Sequence, residues 1–290
     1  MGIAHHLTLK TALPGAIALI TALAPVAAQA ASAMDLYYER ELMTVADNRC
    51  RLFAPQIGAA LEASANQARG AALRAGADGA TVNGVTTRAT QRADSVDCAS
   101  PDLKIAAQRV RSAFDGWSKT PHMDFPGAAA AWRADRSAYS SITWRLVETA
   151  NAGSDPVSFG VVGQNNQTGL IAVAAFNGER PYAARLVFRD VSRTHTAWIG
   201  APKNRPLPPR WASKLVLAEA VDDAGRLTPA GREHGMAFRF PAASIDALAG
   251  LDPRESFAVE FLFSGDRVRT ASFEVGDVAA GLSFLKLGPV

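Results

Sequence analysis

Few residues in this chain are of a type and spacing that can do chemistry. Beyond residue 30 there are three histidines, His122, His195 and His234. His122-Met123-Asp124 is the densest polar cluster, and Asp135 follows it closely. A His-x-Asp pair offers nitrogen and oxygen ligands to a metal such as zinc, or a general base with the carboxylate that orients it. The sequence names no third or fourth ligand, so no metal and no cofactor is expected. The same residues also fit a solvated polar connector. Glu233-His234-Gly235 reads as a turn before a strand, and His195 stands alone in Arg193-Thr194-His195-Thr196. The chain has no H-E-x-x-H, no G-x-S-x-G, no phosphate-binding P-loop, no G-x-G-x-x-G and no EF-hand loop. His122, Asp124 and Asp135 are therefore the best catalytic candidates of a chain that assigns none outright.

A different chemistry is legible at Trp198–Trp211, WIGAPKNRPLPPRW, where four prolines and Lys203, Arg205 and Arg210 lie between two tryptophans. Proline fixes the backbone in an extended form and keeps it from adding to a sheet, which protects a strand edge. The same rigidity lowers the entropic cost of binding, and Trp and Arg are the residue types that dominate binding surfaces. Trp198, Arg205, Arg210 and Trp211 are the expected contact residues, with Trp132 a further one. Trp117 is expected in the core by its spacing, and Trp144 with it.

Stepping outward to the elements, the pattern changes near residue 120. Leu103, Ala106, Ala107, Val110, Phe114 and Trp117 recur at helical spacing, with Ser100 placed as N-cap and Pro101 at the first helical position. Earlier helices are expected from Asp35 to about Phe53, from Pro55, and between Thr81 and Val96. Beyond residue 140 the period becomes two, as in Ala184-x-Leu186-x-Phe188 and in Phe257-x-Val259-x-Phe261-x-Phe263. Ser264-Gly265-Asp266 predicts a hairpin onto Arg267–Val275, and Asp222-Asp223 reads as a turn. About eight strands and two short helices, Ala242–Ala249 and Asp277–Leu285, result. The expected fold is α+β and multi-domain. Residues 31–119 form a small antiparallel helical bundle, residues 120–140 a linker, and residues 141–290 an antiparallel β-sandwich or partly closed barrel.

The N-terminus carries an address. His5, His6 and Lys10 precede an apolar stretch from Ala12 to Ala28 that ends in Ala28-Gln29-Ala30, the small-x-small pattern of a cleaved secretory signal. Residues 1–30 are thus expected to be a signal peptide cut after Ala30, leaving a periplasmic or secreted protein with no integral membrane segment. An oxidising compartment makes the two cysteines, Cys50 and Cys98, an expected disulfide, which a structural zinc site with no nearby histidine does not rival.

Apolar residues make up 48% of the 290-residue chain and charged residues 20%, which excludes a disordered or collagen-like chain. The net charge of +3 does not point to nucleic acid. Residues 31–120 carry 11 basic and 10 acidic side chains, residues 121–290 carry 18 and 17, and no run of five like charges occurs. Two readings of function follow. The first is a non-enzymatic exported binding or scaffold module that engages an envelope protein or a cell-wall polymer. The alternative is a periplasmic hydrolase with its site near His122.

Overall fold

A computed structural model describes residues 26–164, 167–200 and 206–290. The signal-peptide expectation falls almost wholly on residues outside this range. Four helices come first: α1 (Val26–Cys50), α2 (Pro55–Arg74), α3 (Gly79–Ser95) and α4 (Pro101–Phe114), followed by a 3₁₀ turn over Asp115–Lys119. Proline opens α2 and α4, where the missing N–H costs nothing. The Asp78 carboxylate caps α3 by accepting the Thr81 N–H at 2.7 Å. Ser100 is the N-cap of α4, but its side chain makes no capping bond. Helix α1 stops at Cys50, short of the expected Phe53, because Arg51 takes a positive φ of 54°. The Asp47 side chain then accepts the Phe53 N–H at 2.9 Å. Cys50 and Cys98 form the expected disulfide with Cα atoms 5.5 Å apart. It closes a 48-residue separation, which in the chain-entropy model stabilises the fold by about 4 kcal/mol.

Eleven strands follow, all paired antiparallel. They are β1 (His122–Pro126), β2 (Ala131–Asp135), β3 (Thr143–Ala152), β4 (Asp155–Gln164), β5 (Gln167–Ala174), β6 (Ala183–Arg189), β7 (Ser213–Leu217), β8 (Ala220–Asp223), β9 (Met236–Phe240), β10 (Ser256–Phe263) and β11 (Arg267–Glu274). Helix α5 (Ala243–Ala249) precedes β10, and α6 (Val278–Leu285) follows β11. One sheet has the order β1-β2-β3-β4-β5-β9-β8 and the other β11-β10-β6-β7. Only Ala218 and Glu219 separate β7 from β8. Ala218 N–H bonds Ala184 O in the small sheet, and Glu219 N–H bonds Arg239 O in the large one, so the chain turns a corner between sheets. On the other side the Glu274 N–H of β11 reaches Glu148 Oε1 of β3 at 3.2 Å. The result is a partly closed barrel from β3 to β11, with β1 and β2 extending past the closure. Its interior is phenylalanine: Phe159 meets Phe257 at 5.1 Å between ring centroids, and Phe238 meets Phe261 at 5.4 Å. Each such ring contributes roughly 1.5–3 kcal/mol by burial.

Several expectations differ from the structure. Residues 122–135, expected within a linker, form the hairpin β1–β2. Its turn is held from a distance: Glu274 accepts the N–H groups of Ala128 and Ala129 at 2.8 and 3.0 Å. Trp132, expected as a contact residue, is 1% exposed and donates its indole N–H to Val275 O at 3.0 Å. Asp222 and Asp223, expected in a turn, end strand β8. Trp144 is half-buried, packed with Val162 and Ile171 on the outer face of the large sheet.

The helical and β regions share one continuous core, from Met43 and Leu61 through Phe284 to Phe159 and Phe261. Helix α6 lies on the β1–β2 extension, with Phe284 at 5.6 Å from Phe125, and α2 lies on α6. The seam is polar as well as apolar. Arg74 and Asp277 pair through two contacts of 2.7 Å, and the Asp277 side chain is 1% exposed. Arg254 donates to the carbonyls of Leu73 and Ala77 at the end of α2. The close approach needs Gly70, where a Cβ would stand 1.9 Å from Asp277 Oδ1. Gly70→Val is therefore expected to destabilise the protein by about 2–4 kcal/mol in denaturant titrations. Gly84→Ala is the control, because its added Cβ meets only the Arg88 tip at 3.6 Å. It should be stabilising by up to about 1 kcal/mol, and equal effects of the two would refute the seam.

Candidate functional site

Strands β6 and β7 are antiparallel neighbours in which Arg189 faces Ser213, so residues 190–212 form a long excursion from one end of the small sheet. Its base is built from buried charge. Arg189 and Glu255, with side chains 6% and 1% exposed, pair bidentately at 2.5 and 3.0 Å. Each member of the pair also bonds the loop. Glu255 Oε1 accepts the Trp198 N–H at 2.6 Å, and Arg189 Nη1 donates to Thr194 O at 2.7 Å. Glu255 Oε2 also accepts the Asp252 N–H at 3.1 Å, which fixes the turn before β10. At the return, the Ser213 hydroxyl donates to the carbonyls of Pro208 and Pro209, and Asp190 N–H bonds Ala212 O. Asp190 starts the excursion with a side-chain turn: hydrogen bonds from the Ser192 hydroxyl and N–H hold its carboxyl below the ordinary range.

On this base stand the two tryptophans. Trp198 is half-buried and Trp211 is 63% exposed, with ring centroids 6.4 Å apart and planes nearly perpendicular. Edge-to-face packing leaves a face of the outer ring available. Arg193 donates to Trp211 O at 3.3 Å, and Arg210 is exposed beside it. The structure thus brings together Trp198, Arg210 and Trp211. Arg205 lies outside the described residues, and Trp132 is in the core.

The other candidates meet at the edge of the large sheet. His122 and Asp135 are register partners on β1 and β2, with Nε2 3.3 Å from Asp135 Oδ1. The Ser137 hydroxyl lies 3.4 Å from the same Nε2. A nucleophilic relay needs the carboxylate and the hydroxyl on opposite ring nitrogens. Here both address one nitrogen, and the imidazole is 62% exposed. Asp124 shares the exposed face of β1 with His122 but faces Arg133 across the hairpin. Burial pushes the Asp135 carboxyl up, but bonds from Ser137 and the Tyr139 hydroxyl, with His122 beside it, outweigh this and hold it below the ordinary range. Among the described residues no group of three or more His, Cys, Asp or Glu is placed to hold a metal ion. His195 is exposed. His234 borders a cleft of about 250 Å³ with Glu179 and Asp222.

The Arg189–Glu255 base escaped the sequence reading. Its members are far apart in the chain, and Glu255 looks like an ordinary turn residue in Asp252-Pro-Arg-Glu255. No protein-family model matches this chain, and none of the curated proteins or solved structures does.

Because folded Asp135 gives up its proton more readily than the unfolded residue, its stabilisation is present above about pH 4 and fades as pH falls through the lower folded value. Asp135→Asn should lower the denaturation midpoint at pH 7. The gap to the parent should close in acid, whereas a gap independent of pH would contradict the assignment.

Proposed function

We infer that this chain is an exported, non-enzymatic binding or scaffold module of the cell envelope. Its contact surface is the Trp198–Trp211 loop, and its partner is an envelope protein or a cell-wall polymer. The observation that carries the reading is an exposed indole, Trp211, packed edge to face on Trp198, whose N–H is held by a buried ion pair that also bonds Thr194 O of the same loop. A rigid aromatic anchor with adjacent arginine is the arrangement that concentrates binding energy at surfaces. Export is supported by the apolar stretch ending in Ala28-Gln29-Ala30 and is compatible with the disulfide. Cleavage after Ala30 removes no described buried side chain, since the first of these is Tyr37. The arrangement around His122 argues against the hydrolytic alternative, because it lacks a base held from one side and a nucleophile on the other.

A photocrosslinker placed near the loop in cells should capture envelope material, and Trp211→Ala should weaken that capture by about 30-fold, the loss typical of a binding hot spot. The thermal midpoint should stay within a degree or two, because the removed ring is mostly solvated. Undiminished capture by Trp211→Ala would exclude the loop as the contact surface.

A further inference from the structure

A bulge takes one arginine out of the regular ladder of the large sheet. In β3, Trp144 faces Val162 of β4 but Leu146 faces Val161, so Arg145 between them is an extra residue with no partner across the ladder. Gly160 lets β4 close on the bulge, since a Cβ there would stand 1.9 Å from Leu146 O. Bulges re-aim side chains, and this one brings the Arg145 guanidinium over the Tyr139 ring, 5.6 Å from its centroid. Nη1 donates to the carbonyls of Asp135 and Ser137. The Nε and Nη2 edge has no partner among the described residues, and no carboxylate there pairs with this half-buried cation.

A second cation stands on the same cleft. Arg136 and Arg189 are the buried arginines among the described residues. Arg189 is neutralised by Glu255, whereas Arg136 bonds only carbonyls, those of Trp117, Ser118, Thr120 and Gly288. A buried cation without a counter-ion keeps a positive potential around it. Arg136, Arg145, Thr168, Leu285 and Pro289 line a cleft of about 250 Å³. Asp135 also reaches the cleft, but its carboxylate is committed to the Ser137 N–H, the Tyr139 hydroxyl and His122. Two guanidinium groups thus border this cleft against one carboxylate, which already has partners.

This arrangement restricts the ligand. The open edge of Arg145 presents two parallel N–H donors, the fork that matches two oxygens of a carboxylate or of a phosphate. Ring contact and two carbonyls already hold the guanidinium, so little conformational freedom is lost on binding. The Thr168 hydroxyl, on an exposed residue of β5, offers a further donor, and Leu285 and Pro289 offer an apolar wall. A cleft of about 250 Å³ is smaller than the roughly 300–1,000 Å³ of sites for drug-sized molecules. It suits a small anion or the anionic end of a longer molecule.

We propose that Arg145 anchors an oxyanion-binding cleft, which takes the terminal carboxylate or phosphate of a small ligand or a chain end, with Thr168 as second donor and Arg136 as background charge. The cleft shares no residue with the Trp198–Trp211 loop, and the proposal stands apart from the binding reading of that loop.

The test follows the Arg145 Nε–H resonance of ¹⁵N-labelled protein, purified as the cell processes it. Inorganic phosphate or acetate is added at constant ionic strength, with chloride as the reference. A saturable shift in the low millimolar range is expected with at least one oxyanion, and the one that responds assigns the ligand as phosphate or carboxylate. Arg145→Lys keeps the charge and loses the fork. It should weaken binding, read at the Thr168 amide, by about tenfold. Thr168→Val changes an exposed position and should weaken binding, read at Arg145 Nε–H, by about fivefold. No saturable shift in the parent, an equal shift with chloride, or full affinity in both variants overturns the proposal. Should Arg145→Lys disturb the fold, the parent titration and Thr168→Val decide it.

Discussion

Two charges, Arg189 and Glu255, sit almost wholly out of water at the end of the small sheet, and the presentation of the loop depends on them. Moving such a pair from solvent costs several kcal/mol per ion, and Coulomb attraction offsets this only when the remaining lone pairs and protons are also matched. Here they are matched by backbone: the N–H groups of Trp198 and Asp252 go to the carboxylate, and Thr194 O takes a guanidinium proton. Each ion loses a hydrogen-bond partner without the loop, Glu255 the Trp198 N–H and Arg189 the Thr194 carbonyl. One interaction therefore couples three segments, the end of β6, the turn before β10 and the excursion between β6 and β7. Removing one partner would leave an uncompensated buried charge, a loss of about 3–5 kcal/mol.

A second polar device joins the helices to the barrel. The Arg74–Asp277 pair, the Gly70 contact and Arg254 at the end of α2 lie along one seam. Arg136 works in a similar way nearby. It donates to Trp117, Ser118 and Thr120 carbonyls at the end of the 3₁₀ turn and to Gly288 O, with its guanidinium over the Phe284 ring. These arginines satisfy carbonyls that the ends of helical segments leave open. They make the helical region part of the same packed body as the barrel, which gives the loop a large rigid support.

Much of the fold was legible because its signals are local. Helical spacing placed α2, α3 and α4, proline marked the starts of α2 and α4, alternation of apolar residues marked β6 and β10, and the Ser264-Gly265-Asp266 turn marked β11. The two short helices fell where the sequence put them. The β1–β2 hairpin was not legible, because its turn is held by Glu274, far along the chain, and its prolines and small residues read as a linker. Trp132 was misread for the same reason: with the hairpin unseen, its buried place against Val275 was unseen too. Of the loop, the two tryptophans and Arg210 could be read from composition. The pair that holds them could not, since a buried ion pair between distant residues leaves no periodicity and no motif.

The central claim is that the Arg189–Glu255 pair holds the loop in place for contact. Replacing both residues together, Arg189→Met with Glu255→Leu, removes the charges without leaving either one unpaired, a change that is often near neutral for stability. Hydrogen exchange at the Trp198 amide in this double variant is the most direct measurement. The account predicts that protection at Trp198 is lost while the amides of β10 and β11 keep theirs. Protection at Trp198 equal to that of the parent would contradict it.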